Sequence, residues 1–172
     1  MSDFGLAVAL TLRQEGGFQK DPNDKGNWTG GAVNSGTLVG TKYGISAAEF
    51  PDVDIPNLTA AQAADIYQKK YWNPLYDSIK DQIVADKLFD MGVNEGVGTA
   101  VKILQEVLQP QFSDVTLDGN FGPKTLAAVN GSDPVSLLVA YKTALVARVL
   151  KIGADNPAER PFIGDWIRRI NS

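Results

Sequence analysis

Histidine and cysteine are both missing from this chain of 172 residues. The inventory therefore excludes imidazole bases, thiolate nucleophiles, Cys/His zinc sites and disulfides. An excess of positive charge is missing too. Lys and Arg number 16 against 20 Asp and Glu, a formal charge of −4, and no basic run forms a nucleic-acid footprint. No apolar run reaches the ~20 residues of a membrane-spanning helix, so neither nucleic acid nor membrane insertion is expected. A secretory leader is not expected either. The stretch Phe4 to Leu12 is apolar, but Asp3 stands where a positive flank belongs and Arg13-Gln14-Glu15 where a small-residue cleavage site belongs.

With 44% apolar and 21% charged residues the composition is that of a globular protein, long enough for one domain or two small lobes. Carboxylates are left as the main carriers of chemistry, and Glu15 stands out among them. It closes an apolar helical stretch, Phe4 to Gln14, that puts Phe4, Val8 and Thr11/Leu12 on one face with Leu6 and Leu10 beside it. Gly16 and Gly17 supply the backbone freedom to stop that helix. A glutamate in a last turn faces the negative end of the helix dipole. That field, with partial burial against Phe18, favours the protonated form a general acid needs.

From Lys20 to Gly44 the helical period vanishes into a run of turn formers, with alternating Val33, Thr37, Val39 and Tyr43 permitting a short hairpin or two. The rest reads as helix. Thr59 and Gln62 make a capping box for a helix ending at Asn73-Pro74. Ile79, Ile83, Val84, Leu88 and Met91 mark another, stopped at Gly92. Val97, Val101, Leu104 and Leu108 recur at helical spacing before Pro110. Pro123 opens a short helix ending at Asn130-Gly131. Asp133-Pro134 caps a long one with the stripe Leu138, Tyr141, Leu145, Val149 and Ile152 and a stop at Gly153. Ile163, Trp166, Ile167 and Ile170 form the last amphipathic piece. The expected fold class is mainly α, with a small β-hairpin or irregular loop region after the first helix, and function is sought between Glu15 and Ser46.

Glycoside hydrolysis uses two carboxyl groups, one protonated and one ionised. Beside Glu15, the candidates for the ionised partner are Asp21, Asp24, Asp52 and Asp54. Asp24 is preferred because it sits in mid-loop before Gly26, whereas Asp21 precedes Pro22 and suits a turn. Calcium binding does not fit: Lys25 falls at a ligand position of an EF-hand loop and Ala32 where its bidentate glutamate belongs, and no metal is expected. Trp28 and Tyr43 carry rings suited to sugar faces as well as to cores. For Tyr71 and Trp72, at a helix end, core packing is the better account.

These residues resemble a known family. Glu15-Gly16-Gly17-Phe18 is similar to the EGG(Y/F) signature of glycoside hydrolase family 108, N-acetylmuramidases of bacteria and their phages. Asp21-Pro22-Asn23-Asp24, Thr41-Lys42-Tyr43-Gly44-Ile45-Ser46, Tyr71-Trp72 and Phe89-Asp90-Met91-Gly92-Val93-Asn94-Glu95-Gly96 follow that family's pattern in order. Leu104-Gln105 and the run Leu117 to Leu126 resemble the predicted peptidoglycan domain found with it. The match departs between Trp28 and Gly40, where the usual compact turn is expanded.

The resemblance implies a lysozyme-like helical fold, with a muramidase region over 1–89 and a peptidoglycan-domain-like region over 90–172 packed as one unit. It implies hydrolysis of the β-1,4 bond between N-acetylmuramic acid and N-acetylglucosamine, with Glu15 as the catalytic glutamate. The order of phage-type lysozymes adds Asp24 and Thr41 as catalytic residues, with Ser46 as the alternative hydroxyl and Trp28, Tyr43 and Ser46 as substrate contacts. No cofactor is expected. The implied partner is the peptidoglycan glycan strand, met by a monomer made in the bacterial cytoplasm and released to the cell wall, as an endolysin is. A non-catalytic peptidoglycan-binding or phage structural module, and a lytic transglycosylase, are the competing readings.

Overall fold

The structure is a computed structural model that describes residues 1–172, the side chain of Gln14 excepted. The chain is mainly α: 60% of it is helical, with seven α-helices and one two-stranded antiparallel sheet among the described residues. Its contacts divide it into two compact units, residues 5–70 and residues 1–4 with 71–172. Among the described residues, no helix is long and apolar enough to cross a membrane.

The first unit carries the loop-rich segment. Helix α1 (Phe4–Gln14) buries Ala7, Val8 and Thr11, and Glu15 follows four residues later on the same face. Leu6 and Leu10, expected beside that face, are instead 59% and 48% exposed. At 100° per residue Leu6 lies about 150° and Leu10 about 110° from the middle of the buried face, so both fall outside it. The Glu15 N–H still bonds the Thr11 carbonyl, and Gly16 then ends the helix at φ 74°. Strands β1 (Thr41–Lys42) and β2 (Ile45–Ser46) pair Thr41 with Ser46 and Lys42 with Ile45. The Tyr43-Gly44 connection has φ 52° and 73°, the pattern of a primed two-residue turn whose twist suits antiparallel strands. A second, irregular hairpin is closed by the bridge between Trp28 and Leu38, so the region expected to hold a hairpin or two holds both. Helix α2 (Ala60–Tyr71) opens with the expected capping box: the Gln62 N–H bonds Thr59 Oγ1 at 3.2 Å and the Thr59 N–H bonds Gln62 Oε1 at 2.9 Å.

The larger unit is a helical assembly of α3 (Gln82–Glu95), α4 (Val97–Leu108), α5 (Pro123–Gly131), α6 (Pro134–Asp155) and α7 (Ile163–Asn171). Trp72 is buried, as core packing requires, with edge-on contacts to Phe4, Tyr76 and Phe89 at centroid distances of 5.3, 5.3 and 5.6 Å. Two expected helix stops lie inside helices instead. Gly92 is buried in α3, which runs on to Gly96 at φ 88°, and Gly153 is buried in α6, which ends at Asn156 before Pro157. Leu137, rather than Leu138, is the first fully buried residue of the α6 stripe, and Ile83 of α3 faces outward. Lys87 is buried with its ammonium donating to the Arg169 carbonyl at 3.0 Å, and burial pushes it below the usual lysine range.

Candidate active site

The Glu15 side chain is half-buried, and its carboxyl lies against the turn of the β1–β2 hairpin. A Cβ built on Gly44 would stand 2.7 Å from Glu15 Oε2 and 2.5 Å from the Tyr67 hydroxyl. A side chain there would force the Glu15 carboxyl and the Tyr67 hydroxyl to move, and φ 73° would strain it in any case. Tyr67, on α2 and only 2% exposed, donates its hydroxyl to the Tyr43 carbonyl at 2.9 Å. That bond ties the turn that holds Tyr43, a bulky residue at positive φ, in a conformation such residues rarely adopt. Glycine, the phenol and the strained turn together form the wall on which the Glu15 carboxyl rests.

Asp24 is exposed and caps the short 3₁₀ turn Lys25–Asn27. Its two oxygens have different donors: the Gly26 N–H at 2.8 Å on Oδ1 and Gln19 Nε2 at 2.9 Å on Oδ2. Gln19 Oε1 accepts in turn from the Asp21 N–H at 3.0 Å and from Asn27 Nδ2 at 2.7 Å. Asn27 is fully buried. Its amide also donates to the Asp21 carbonyl at 2.9 Å, and its Oδ1 accepts the Thr41 hydroxyl at 2.7 Å. Backbone bonds between Gln19 and Thr41, 2.9 Å in each direction, close the arrangement. Every polar atom of Asn27 that burial removes from water is thus paired, as a buried amide requires.

The structure brings Asp24, Thr41 and Ser46 into one cluster. Thr41 and Ser46 are cross-strand partners, so their hydroxyl-bearing side chains share a face. A Cβ on Gly26 would stand 3.2 Å from Asp24 Oδ1 and 3.7 Å from the Ser46 Cβ. Glu15 meets the same hairpin at its turn. Trp28 is half-buried, with its indole N–H given to the Pro22 carbonyl at 2.9 Å. Tyr43 is half-buried in the turn, its ring 5.5 Å from the Lys42 ammonium. Asp21, as its place before Pro22 suggested, spends Oδ1 on the Asn23 N–H at 2.9 Å in a local turn. Asp54 accepts from Asn57 at 2.9 Å.

Gln19, Asn27 and Tyr67 escaped the sequence reading. Neutral amides carry no catalytic signature, and Asn27-Trp28-Thr29 matches only a glycosylation acceptor. Tyr67 falls four residues after buried Ala63, a spacing that announces core and nothing more.

A half-buried carboxyl at a helix end and a second one in a polar turn thus meet one small hairpin on a helical fold. Comparison with known proteins gives the family. The family model of glycosyl hydrolase 108 matches residues 8–96, and that of the predicted peptidoglycan domain matches residues 99–171. The chain belongs to the glycosyl hydrolase 108 family. SagA of Brucella abortus has a similar structure, with a TM-score of 0.72 at 26% identity over 98% of this chain and 89% of that one. No curated protein sequence matches. Together the two family matches support a lysozyme-like function directed at peptidoglycan.

Proposed function

We propose that the protein is an N-acetylmuramidase that hydrolyses the β-1,4 bond between N-acetylmuramic acid and N-acetylglucosamine. The observation that carries this reading is the Glu15 carboxyl, held at a helix end against Gly44 and the Tyr67 hydroxyl instead of lying free in solvent. In the proposed reaction Glu15 gives its proton to the glycosidic oxygen as the bond to the anomeric carbon breaks. A water held by Asp24 and the Thr41 hydroxyl adds to that carbon from the other face and loses a proton to Asp24. Trp28, Tyr43 and Ser46 contact the sugars.

Attack by a water on the side of the sugar opposite Glu15 inverts the anomeric configuration. The N-acetylmuramidase reading also fixes where the protein acts, at the cell wall.

Digestion of purified peptidoglycan by the wild type and Glu15→Gln, followed by mass spectrometry and NMR of the fresh products, tests the reading. The wild type should yield reducing N-acetylmuramic acid ends in the α configuration, and the variant should yield none while melting at an unchanged temperature. Anhydro-sugar products would instead identify a lytic transglycosylase, and undiminished turnover by Glu15→Gln would remove Glu15 from the chemistry.

A further inference from the structure

We infer that Gln19 and Asn27 are positioning residues that set the hydrogen-bonding sense of the Asp24 carboxylate and the Thr41 hydroxyl; the inference rests on the catalytic reading of those two groups given above. The argument begins at one peptide segment, residue 21, whose N–H can only donate and whose carbonyl can only accept. The Asp21 N–H meets Gln19 Oε1 at 3.0 Å, so the other end of that amide, Nε2, must face Asp24 Oδ2, 2.9 Å away. The Asp21 carbonyl meets Asn27 Nδ2 at 2.9 Å, so Oδ1 of that amide must face Thr41. The Thr41 hydroxyl, 2.7 Å from Oδ1, is thereby obliged to spend its only proton inward.

Two chemical consequences follow. Asp24 receives donors on both oxygens, which fixes the orientation of the carboxylate and the directions its remaining lone pairs face. Thr41, with its proton committed, offers only lone pairs to a water. A water shared by the two groups must donate both of its protons and turn a lone pair toward the sugar, which is the orientation that attack requires. Reversing either amide would send an oxygen toward Asp24 or a donor toward Thr41 and spoil that orientation.

Asn27 is fully buried and its variants risk misfolding, so the test uses Gln19, which is exposed. Gln19→Glu retains an acceptor for the Asp21 N–H and the Asn27 amide and changes only the group that faces Asp24. Steady-state turnover of peptidoglycan is measured for the wild type, Gln19→Glu, Asp24→Asn and the double variant, with thermal melting of each. Gln19→Glu should lower kcat by about 10- to 100-fold, the effect of one charge-assisted hydrogen bond, with KM changed by less than about 2-fold. In the Asp24→Asn background the same change should cost less than about 2-fold, because the amide introduced at 24 donates to the carboxylate introduced at 19.

Equal losses in both backgrounds, wild-type kcat in Gln19→Glu, or a loss matched by a lower folded fraction would each overturn the positioning role. If Asp24→Asn alone keeps full kcat, the failure lies in the catalytic assignment of Asp24, and the positioning role falls with it.

Discussion

At the scale of single residues, Gly44 combines two properties that suit glycine best at that place. It adopts φ 73° without strain, and it leaves room for the Glu15 carboxyl and the Tyr67 hydroxyl, both within 3 Å of the missing Cβ. Gly44→Ala is therefore expected to destabilise the fold by about 1–3 kcal/mol through backbone strain. It should also displace the Glu15 carboxyl, and a misplacement of about 1 Å lowers kcat by roughly 10²-fold. Activity measured well below the melting temperature separates the two effects; an unchanged kcat there would mean that the wall behind Glu15 has no bearing on turnover. The place of Glu15 at a helix end was legible in the sequence, because two glycines directly after an apolar helical stretch mark its stop. Its neighbours were not. Gly44 and Tyr67 reach Glu15 across 29 and 52 positions of chain, and nothing in local spacing records an approach of that length.

Among the elements, helix starts were read better than helix stops. Thr59 with Gln62 and Asp133 with Pro134 declare their caps through side-chain chemistry, and the structure shows those bonds. Glycine declares less. Gly92 sits inside α3, where its cost relative to alanine is only about 1 kcal/mol, whereas Gly96 four residues on takes φ 88° and ends the helix. A one-letter sequence does not carry φ, so the two glycines look alike until the backbone is known. Gly119, in the loop before α5, is of the second kind. At φ 74° its missing Cβ would lie 2.7 Å from the Gly98 carbonyl oxygen, a backbone atom with little room to move. Gly119→Ala should cost about 1–3 kcal/mol and lower the melting temperature by several degrees. By contrast Gly164 in α7 has open space around it, and Gly164→Ala should stabilise by about 0.5–1 kcal/mol. Calorimetry on the pair checks both signs, and equal effects would remove the distinction between the sites.

For the whole molecule, acid is the informative perturbant. Hydrogen bonds from the Asn120 backbone and the Gln105 amide hold Asp118 below the usual carboxylate range, and Ser136 does the same for Asp133 at the start of α6. A carboxyl whose folded value is depressed binds fewer protons than its unfolded counterpart, so stability rises with pH and falls as acid is added. The contribution is complete above the unfolded value of about 4 and is lost as pH drops through the lower folded value. Asp86 works in the opposite sense: burial raises it, so its favourable contribution belongs to acid and fades as pH rises through its folded value. Denaturant midpoints should accordingly drop between about pH 5 and 2, and Asp118→Asn should flatten that dependence; an unaltered slope would mean that the Gln105 bond leaves the titration untouched. Domain organisation is where sequence and contacts draw different lines. The family models meet between residues 96 and 99, while the compact units divide at 70 and 71. Homology follows inherited segments and contacts follow burial, so the two boundaries answer different physical questions.

The peptide groups of residue 21, which orient two amides at once, bear on any attempt to engineer this protein. Residues 19–27 and the β1–β2 hairpin amount to a cassette, since the sense of each side-chain amide is inherited from its neighbour rather than chosen locally. A transplant into a related scaffold has to carry all of these positions together. Copying the acidic residues alone would deliver the right functional groups with the wrong polarity around them.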